Sequence, residues 1–586
     1  MSLLKVKDLT IRYDDKTVVD SVSFEVNRGE SVGLAGESGS GKSQTAMALL
    51  GLLPRNATRT GSIRFNDTEI STCNEQALDQ IRGRRVGMVF QDPMQALNPY
   101  LKIGKQLREI LLQHNIASGS AADTQVVAML ERVGLPDPER QFDVFPYQLS
   151  GGMRQRAMIA SALIAEPDLL IADEPTTALD VTVQAQILDL LEELRDNTAL
   201  LLITHDLGVV AGRCERLLVF ENGKLVESGA TTSLFAAPRS EHTKRLLADA
   251  PRIDCGEIPR VGTAKALLRI ESASVSYSDK KGADLQAVRD VSLSLCEAET
   301  LAIVGESGSG KSSLVRSILG LIPMRSGRVV YAGASLEGPV QNRAAEQRRD
   351  LQLVFQDPAS ALNPQMRIES IVSEPLSVHE PKSSTESRRR LVIAILKKVG
   401  LDEGYLRRYP HQLSGGQAQR VAIARALILE PKVLICDEAV AALDGSARKK
   451  VLELLKAVQA ETSLSIIFIS HDLSVVRTTC HRVAVMYLGL LVEVANTETL
   501  FSAPQHPYSR ALIDASPIPD PLVALPRARL KGEVPSLRSP PSGCVFHPRC
   551  HFAADKCSET RPQPRDLKGA RVACHRAEEI DLSLPY

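Results

Sequence analysis

The chain lacks the features that would direct it to a polyanion or into a bilayer. Its 70 Lys and Arg residues are balanced by 70 Asp and Glu residues, so no charge excess drives binding to a phosphate backbone. The longest apolar runs, such as residues 199–203, fall far short of the ~20 residues that a membrane-spanning helix needs. Residues 1–5 lack the basic start and the sustained apolar core of a signal peptide. We therefore expect a chain that stays in the cytosol unless partners carry it to a membrane.

The composition is that of a folded protein with several domains. The 586 residues are 44% hydrophobic and 24% charged, which excludes wholesale disorder. Disulfides are not expected among the ten cysteines of a cytosolic chain. Six of the cysteines are scattered singly, whereas the other four crowd into the last 43 residues: Cys544, Cys550, Cys557 and Cys574.

An internal repeat dominates the sequence. The octapeptide at residues 36–43 recurs letter for letter at residues 305–312, and shorter matches follow at 89–93 and 354–358, 148–152 and 412–416, and 170–174 and 434–438. Matches this regular over such a length predict two homologous domains. We place the first domain at 1–251, a linker at 252–266, the second domain at 267–515 and a Pro-rich tail at 516–586.

The repeated octapeptide fits the P-loop pattern G-x4-G-K-S. Its glycines let backbone N–H groups point at a phosphate, while Lys42 and Lys311 reach the β and γ oxygens and Ser43 and Ser312 offer a hydroxyl to Mg²⁺. A β-rich run enters each loop and a helical pattern, 44–53 or 313–321, leaves it. The pattern therefore predicts two nucleotide-binding sites of the P-loop type.

An acidic pair follows a second apolar strand in each half. Asp173 and Asp437 end the runs 169–173 and 433–437, where an open α/β sheet places groups that face its ligand. These aspartates are predicted to hold Mg²⁺ through water, and the next residues, Glu174 and Glu438, to orient or deprotonate the attacking water.

The Leu-Ser-Gly-Gly sequence between P-loop and Asp-Glu resembles the signature of ABC-type ATPases. The resemblance covers nearly the whole chain and implies an α/β fold with two tandem P-loop NTPase domains, each with a RecA-like core, an antiparallel β subdomain and a helical subdomain, plus a small Cys-rich module. It also implies the switch histidines His205 and His471 as catalytic partners of the glutamates, and the aspartate-loop residues Asp180 and Asp444. The predicted ATP-binding residues of the first half are Tyr13, Gly36, Ser38, Gly39, Ser40, Gly41, Lys42, Ser43, Gln44, Gln91, Ser150, Gly151, Gly152 and Asp173. Those of the second half are Tyr277, Gly305, Ser307, Gly308, Ser309, Gly310, Lys311, Ser312, Ser313, Gln356, Ser414, Gly415, Gly416 and Asp437.

In this family two cassettes pair head to tail, so the resemblance implies that each P-loop is completed by the signature of the other half. It also implies that Ser43 and Gln91, and Ser312 and Gln356, contact Mg²⁺. Both cassettes are in one chain, so no second ATPase subunit is required. The second half has Ala-Val-Ala at 439–441 where the first has Pro-Thr-Thr at 175–177, which leaves the equality of the two sites open.

Two further features resemble the ATPases of dipeptide, oligopeptide and nickel importers. One is the segment 506–512, with a weaker counterpart at 241–247. The other is the tail with spacing Cys-x5-Cys-x6-Cys-x16-Cys, which in that family holds a [4Fe–4S] cluster. Zinc, with His547, His551 or His575 as replacement ligands, and a metal-free tail remain alternatives.

The resemblance implies an ATPase subunit at the cytoplasmic face of the inner membrane. It would hydrolyse ATP to drive peptide uptake through two integral membrane permease subunits, with an extracytoplasmic substrate-binding protein as indirect partner and no nucleic acid. Glutathione and nickel are alternative cargoes. The competing class is a twin-cassette ABC protein that acts on ribosomes or nucleic acid; its ATP motifs would be the same, but the short linker and balanced charge disfavour it.

Overall fold

The computed structural model describes residues 2–177, 179–195, 197–253, 258–259, 265–278, 284–441, 443, 445–523, 530 and 532–582. The chain forms two compact units. The first contains Met1–Leu179, Val183–Ala250 and Pro517–Arg527, and the second contains Asp180–Thr182, Pro251–Ser516 and Ala528–Tyr586. Within the described residues, no helix combines the length and the apolar character that crossing a bilayer requires.

Both strands and helices occur in the part of the chain up to residue 250. The strands are β1 (Ser2–Tyr13), β2 (Lys16–Asn27), β3 (Ser31–Gly36), β4 (Ala57–Phe65), β5 (Thr68–Glu69), β6 (Val86–Val89), β7 (Leu169–Asp173), β8 (Ala199–Thr204), β9 (Arg216–Glu221) and β10 (Lys224–Ala230). The helices are α1 (Lys42–Leu49), α2 (Glu75–Asp79), α3 (Pro93–Ala96), α4 (Ile103–Gln113), α5 (Gly119–Arg132), α6 (Pro138–Phe142), α7 (Gly151–Leu163), α8 (Val181–Leu194), α9 (Leu207–Ala211), α10 (Thr231–Ala236) and α11 (Glu241–Asp249).

Two sheets organise the first unit. A four-stranded sheet has the order β2-β1-β4-β5, and a six-stranded sheet has the order β10-β9-β3-β8-β7-β6. In the larger sheet β3 pairs in parallel with β8 and β9, and only β10 is antiparallel to its neighbour. Every residue of β3, β7 and β8 is buried, which explains why these strands read as continuous apolar runs. Their carboxyl ends carry the P-loop, the acidic pair and the histidine.

The second unit repeats this order of elements. Its strands are β11 (Ala266–Ser278), β12 (Asp284–Cys296), β13 (Thr300–Val304), β14 (Ser326–Tyr331), β15 (Ala334–Ser335), β16 (Leu351–Val354), β17 (Val433–Asp437), β18 (Ser465–Ile469), β19 (Arg482–Tyr487), β20 (Leu490–Asn496), β21 (Arg565–Leu567) and β22 (Ala570–Val572). Its helices are α12 (Lys311–Ile318), α13 (Ala345–Asp350), α14 (Pro358–Ala361), α15 (Ile368–His379), α16 (Thr385–Lys398), α17 (Gly415–Leu427), α18 (Gly445–Thr462), α19 (Leu473–Thr479), α20 (Thr497–Ser502), α21 (Pro507–Ala515) and α22 (Asp555–Glu559).

The C-terminal segment enlarges the main sheet of the second unit. Its strand order is β16-β17-β18-β13-β19-β20-β22-β21, so β22 pairs antiparallel with β20 and adds a hairpin to the sheet. The smaller sheet, β12-β11-β14-β15, has the same order as its counterpart in the first unit. The predicted α/β fold with two tandem domains is thus confirmed. The boundaries given above and a separate Cys-rich module stay predictions.

Candidate functional site

The P-loop of each unit passes very close to neighbouring backbone. Gly36 and Gly41 have φ values of +155° and +97°, and a Cβ at these positions would lie 2.4 Å from the Phe220 carbonyl oxygen and 2.8 Å from that of Val18. In the second unit, Gly305 and Gly310 meet the same restriction. Glycine is therefore required at both ends of the loop, because a side chain would clash and the backbone conformation is left-handed.

The P-loop lysines fold back over their own loops. Lys42 Nζ donates to the carbonyl oxygens of Gly36 and Glu37, each at 2.8 Å. Lys311 Nζ donates to Gly305 at 2.8 Å and to Glu306 at 3.0 Å. Both lysines are only 5% exposed. Each ammonium group is thereby held at the start of α1 or α12, where backbone N–H groups and the helix dipole favour an anion.

The serine that follows each lysine is joined to the acidic strand end. Ser43 Oγ donates to Asp173 Oδ1 at 3.1 Å, and Ser312 Oγ donates to Asp437 Oδ1 at 3.0 Å. Burial raises the pKa of Asp173 to about 6, although the serine hydrogen bond opposes this shift. Burial likewise raises the pKa of Asp437. A hydroxyl and a carboxylate this close supply hard oxygen donors, which fit Mg²⁺.

The glutamate that follows each aspartate lies close to a glutamine and a histidine. Gln91 Nε2 donates to Glu174 Oε2 at 2.8 Å, and Gln356 Nε2 donates to Glu438 Oε2 at 2.7 Å. His205 Nδ1 lies 3.2 Å from Glu174 Oε1, and His471 Nδ1 lies 3.8 Å from Glu438 Oε2. The structure therefore brings together Glu, Gln and His residues that are far apart in the sequence.

The environment of each glutamate keeps it ionised. Burial alone would raise the pKa of Glu174, but His205, the Thr177 hydroxyl and the charge of Lys42 outweigh burial and lower the pKa to about 2. The interaction with His471 lowers the pKa of Glu438, and burial opposes it. Both glutamates are thus charged at neutral pH, as an acceptor of a proton from water must be.

Thr177 is a residue of this site that the sequence analysis did not assign. Its hydroxyl donates to Glu174 Oε2 at 2.8 Å. The corresponding residue of the second unit is Ala441, which has no hydroxyl to donate. The difference at 439–441 was visible in the sequence, but only the structure connects it to the glutamate.

The remaining predicted nucleotide residues lie on neighbouring elements. Tyr13, at the end of β1, donates its hydroxyl hydrogen bond to Gln44. Tyr277 OH and Ser313 Oγ are 3.1 Å apart in the second unit. The structure therefore joins each predicted adenine-stacking tyrosine to the first turn of the helix that follows the P-loop.

The signature residues begin α7 and α17. Ser150 Oγ accepts the Met153 N–H at 3.2 Å, and Ser414 Oγ accepts the Gln417 N–H at 3.3 Å. Gln417 Oε1 also accepts the Ser414 N–H at 3.0 Å, which forms a capping box that Met153 cannot form. Each signature therefore presents a capped helix N-terminus. Asp444 lies outside the described residues.

The four cysteines of the C-terminal segment are free thiols. Burial raises the pKa of Cys544 and of Cys550 to about 11 each, and charges on neighbouring thiols act in the same direction. In the described part of the chain, no three or more His, Cys, Asp or Glu side chains form a group that could hold a metal ion. Metal ligation needs thiolates, so a metal at these cysteines would have to displace the thiol protons that burial favours. The predicted [4Fe–4S] cluster rests on the resemblance alone.

Comparison with known proteins agrees with this site. The model of a family described as ABC transporter matches residues 19–177 and 288–441, and the model described as oligopeptide/dipeptide transporter, C-terminal region, matches residues 492–557. The chain is 41% identical to the uncharacterized ABC transporter ATP-binding protein YejF of Escherichia coli, over 88% of this chain and 99% of that protein. It is 39% identical to the glutathione import ATP-binding protein GsiA of Salmonella typhimurium, over 91% and 93% of the two chains.

A third relative is the peptidoglycan transport ATP-binding protein YejF of Agrobacterium fabrum, 41% identical over 88% of this chain and 96% of its own. Among solved structures, cbiO1 from Clostridium perfringens aligns with 31% identity over 40% of this chain and 90% of its own, at a TM-score of 0.37.

Two P-loop units with an acidic strand end and a signature helix define an ATP-hydrolysing protein of the ABC class. The chain belongs to the ABC transporter family, as an ATP-binding protein with two cassettes in tandem and a C-terminal region of the oligopeptide/dipeptide transporter type. ATP and Mg²⁺ are what this class works with. The predicted family and the predicted ATPase activity are therefore confirmed.

Proposed function

We propose that this chain is the ATPase subunit of an importer for peptides, and that it works at the cytoplasmic face of the inner membrane on separate permease subunits. The support is the C-terminal region of oligopeptide/dipeptide type, together with relatives whose names refer to import of glutathione, itself a tripeptide, and to transport of peptidoglycan. The two permease subunits and the external binding protein are part of this proposal.

The proposed mechanism of ATP hydrolysis rests on one observation: both units bring the same set of side chains together. In each, a lysine lies over the P-loop, a serine is bonded to an aspartate, and a glutamine contacts a glutamate that also faces a histidine. We propose that the lysine binds the β and γ phosphates, and that the serine and aspartate hold Mg²⁺, which neutralises phosphate charge when bound. The glutamate then orients the attacking water and accepts its proton, and the histidine holds the glutamate in place.

Substitution of the two glutamates tests this assignment. Glu174→Gln and Glu438→Gln each keep the shape of the side chain but remove the proton acceptor. We expect each variant to lose at least half of the steady-state ATP turnover and the double variant to lose about 100-fold or more, because general-base catalysis contributes about 10²–10⁴-fold. Retained ATP binding, measured with a fluorescent analogue, is the control for folding. Unchanged turnover in both single variants would refute the assignment.

Isolation of the intact complex tests the transport part. We expect the tagged chain to copurify with integral membrane subunits, and the external binding protein of that complex to release a peptide that mass spectrometry identifies. Recovery of nickel would show that the cargo is nickel and not a peptide. Copurification with ribosomes would show that the chain does not work in transport.

We propose that the four C-terminal cysteines take up a metal group, on the strength of the resemblance of their spacing to the tail of peptide-importer ATPases. Anaerobic purification followed by assays of iron, acid-labile sulfide and zinc tests this. Iron and sulfide in equal amounts support a [4Fe–4S] cluster, stoichiometric zinc without iron rejects it, and absence of all three leaves the tail as a metal-free fold.

A further inference from the structure

The segment that carries the first two of these cysteines packs against the P-loop of the second unit. Arg549, in a short 3-10 helix at His547–Arg549, places Nη1 2.6 Å from Glu306 Oε2 and Nη2 3.0 Å from Glu306 Oε1. The side chains are 3% and 1% exposed. The two side chains thus form a bidentate ion pair with almost no access to solvent. Two parallel hydrogen bonds fix both the distance between the guanidinium and the carboxylate and their relative orientation.

Glu306 is the residue directly after the first glycine of that P-loop, and several groups hold it. Arg549 and the Thr182 hydroxyl both donate to its carboxylate. The Tyr508 hydroxyl accepts its backbone N–H at 2.9 Å. Its carbonyl oxygen accepts the Lys311 ammonium group at 3.0 Å. A substitution of Arg549 is therefore expected to displace Glu306, and with it Lys311, which we propose to bind the phosphates.

An aromatic cluster holds the Arg549 segment in place. The Phe546 ring stands edge-on to Tyr487, with centroids 5.3 Å apart at 88°, and also lies 5.3 Å from Tyr508. Tyr487 and Tyr508 are fully buried and Phe546 is 1% exposed. Such rings contribute large buried area in a fixed geometry, so the segment has little freedom to shift.

The first unit is built differently at the same positions. Glu221 and His242 stand 266 residues before Tyr487 and Tyr508, and there they form a polar pair with His242 Nδ1 2.9 Å from Glu221 Oε1. Arg245 joins the same carboxylate at 3.1 Å. The aromatic cluster and the buried Arg–Glu pair thus belong to the second unit and not to the repeat.

We propose that Arg549 is a positioning residue for the second ATP site, and that through it the cysteine-bearing segment sets the nucleotide affinity of that site. This rests on the proposed function insofar as the P-loop at Gly305–Ser312 binds ATP. Buried ion pairs are weak evidence for stability, because desolvation offsets their attraction, but they specify geometry well. The geometry they specify here is that of the P-loop.

The test measures ATP affinity one site at a time in the full-length protein. Lys42→Ala silences the first site so that only the second reports, and Lys311→Ala does the reverse. In the first background we expect Arg549→Met to weaken Mg-ATP binding about 10-fold or more, since small displacements of positioning groups are costly at such sites. Arg549→Lys, which keeps the charge, is expected to restore part of the affinity. In the Lys311→Ala background Arg549→Met is expected to have no effect.

Two further variants complete the design. Arg565→Met removes an exposed arginine of the same C-terminal segment, which is paired with Glu578 at 3.5 Å, and is expected to leave both affinities unchanged. Glu306→Gln combined with Arg549→Met removes both buried charges, so the proposal can be judged even if Arg549→Met alone fails to fold. We expect the double variant to be no weaker in ATP binding than Arg549→Met.

The outcomes are distinct. Selective loss of affinity at the second site with partial rescue by lysine supports the proposal. Equal loss at both sites, or reduced thermal stability with unchanged affinity, would show that Arg549 is structural only and would overturn it. If the wild-type chain bound no ATP, the proposed function would fail first.

Discussion

The carboxylate of Glu174 is contacted by Gln91, Thr177 and His205, whereas its counterpart Glu438 is contacted by Gln356 and lies 3.8 Å from His471. Alanine at 441 replaces the threonine. A hydrogen bond to an ionised group favours the charged form, so the two glutamates differ in basicity even though the residues around them are repeated. We therefore expect any difference in activity between the two sites to arise from a neighbour of the glutamate that we propose as the catalytic residue, and not from the glutamate itself.

Exchange of this hydroxyl should change the pH dependence of turnover at one site. Thr177→Ala, in a Glu438→Gln background that leaves the first site to report, removes one of the groups that oppose burial and, together with His205 and Lys42, lower the pKa of Glu174 to about 2. The pKa should rise by about one unit, since a hydrogen bond to a charged group contributes about 1.5–3 kcal/mol at most. Because the glutamate acts when ionised, the acid limb of the pH–rate profile should move to higher pH.

Thr177→Ser keeps the hydroxyl and serves as the control, with no shift expected. The reverse change, Ala441→Thr in a Glu174→Gln background, should move the acid limb of the second site to lower pH. Initial rates of phosphate release from about pH 2 to about pH 6 measure both, since the acid limb lies at the pKa of the glutamate, and circular dichroism at each pH checks that the protein stays folded. An acid limb that stays in place in both variants would show that these residues do not interact with the catalytic glutamate during turnover.

At the scale of elements, the sequence predicted the strands of the site well. The apolar runs at 169–173 and 433–437 coincide with β7 and β17, because a fully buried parallel strand shows its length directly as uninterrupted hydrophobicity. The helix predicted at 44–53 is instead Lys42–Leu49, since the residue before it, Gly41, caps the helix and Gly51 turns into the left-handed region. Repeats and apolar runs are local signals, and local signals suffice for such elements.

Contacts of long range could not be predicted in this way. Arg549 and Glu306 are 243 residues apart, and nothing in their neighbours indicates that they pair. The pairing of β22 with β20 is equally hidden, because a strand of three residues has no detectable period. Arg549 and β22 both lie in the C-terminal segment. This segment has no counterpart in the first half of the chain, so the internal repeat gave no information about its contacts.

At the scale of the whole molecule, the two units share the strand order of their main sheets but differ at one edge of the sheet. In the described residues, the main sheet of the second unit is extended by the C-terminal strands β22 and β21, and that of the first unit is not. In the second unit, β20 is covered by β22, with Val572 opposite Glu493 and both side chains fully buried. In the first unit, the equivalent strand β10 is the edge of its sheet. The C-terminal segment should therefore stabilise one unit alone.

Val572→Asp tests this by placing a second carboxylate opposite buried Glu493, whose pKa burial already raises. Burying an unpaired charge costs about 3 kcal/mol or more, so β22 should detach. Those amides of residues 493–495 in β20 that face β22 should then lose protection in hydrogen exchange, while the amides that face β19 stay paired. Amides of Lys224–Ala230 in β10 should keep theirs. Arg571→Asp, on the exposed side of the same strand, is the matched control and should change neither. Equal loss of protection in β10 and β20 would mean that the chain unfolds as a single cooperative body, and the separate dependence of the second unit on its C-terminal strands would be wrong.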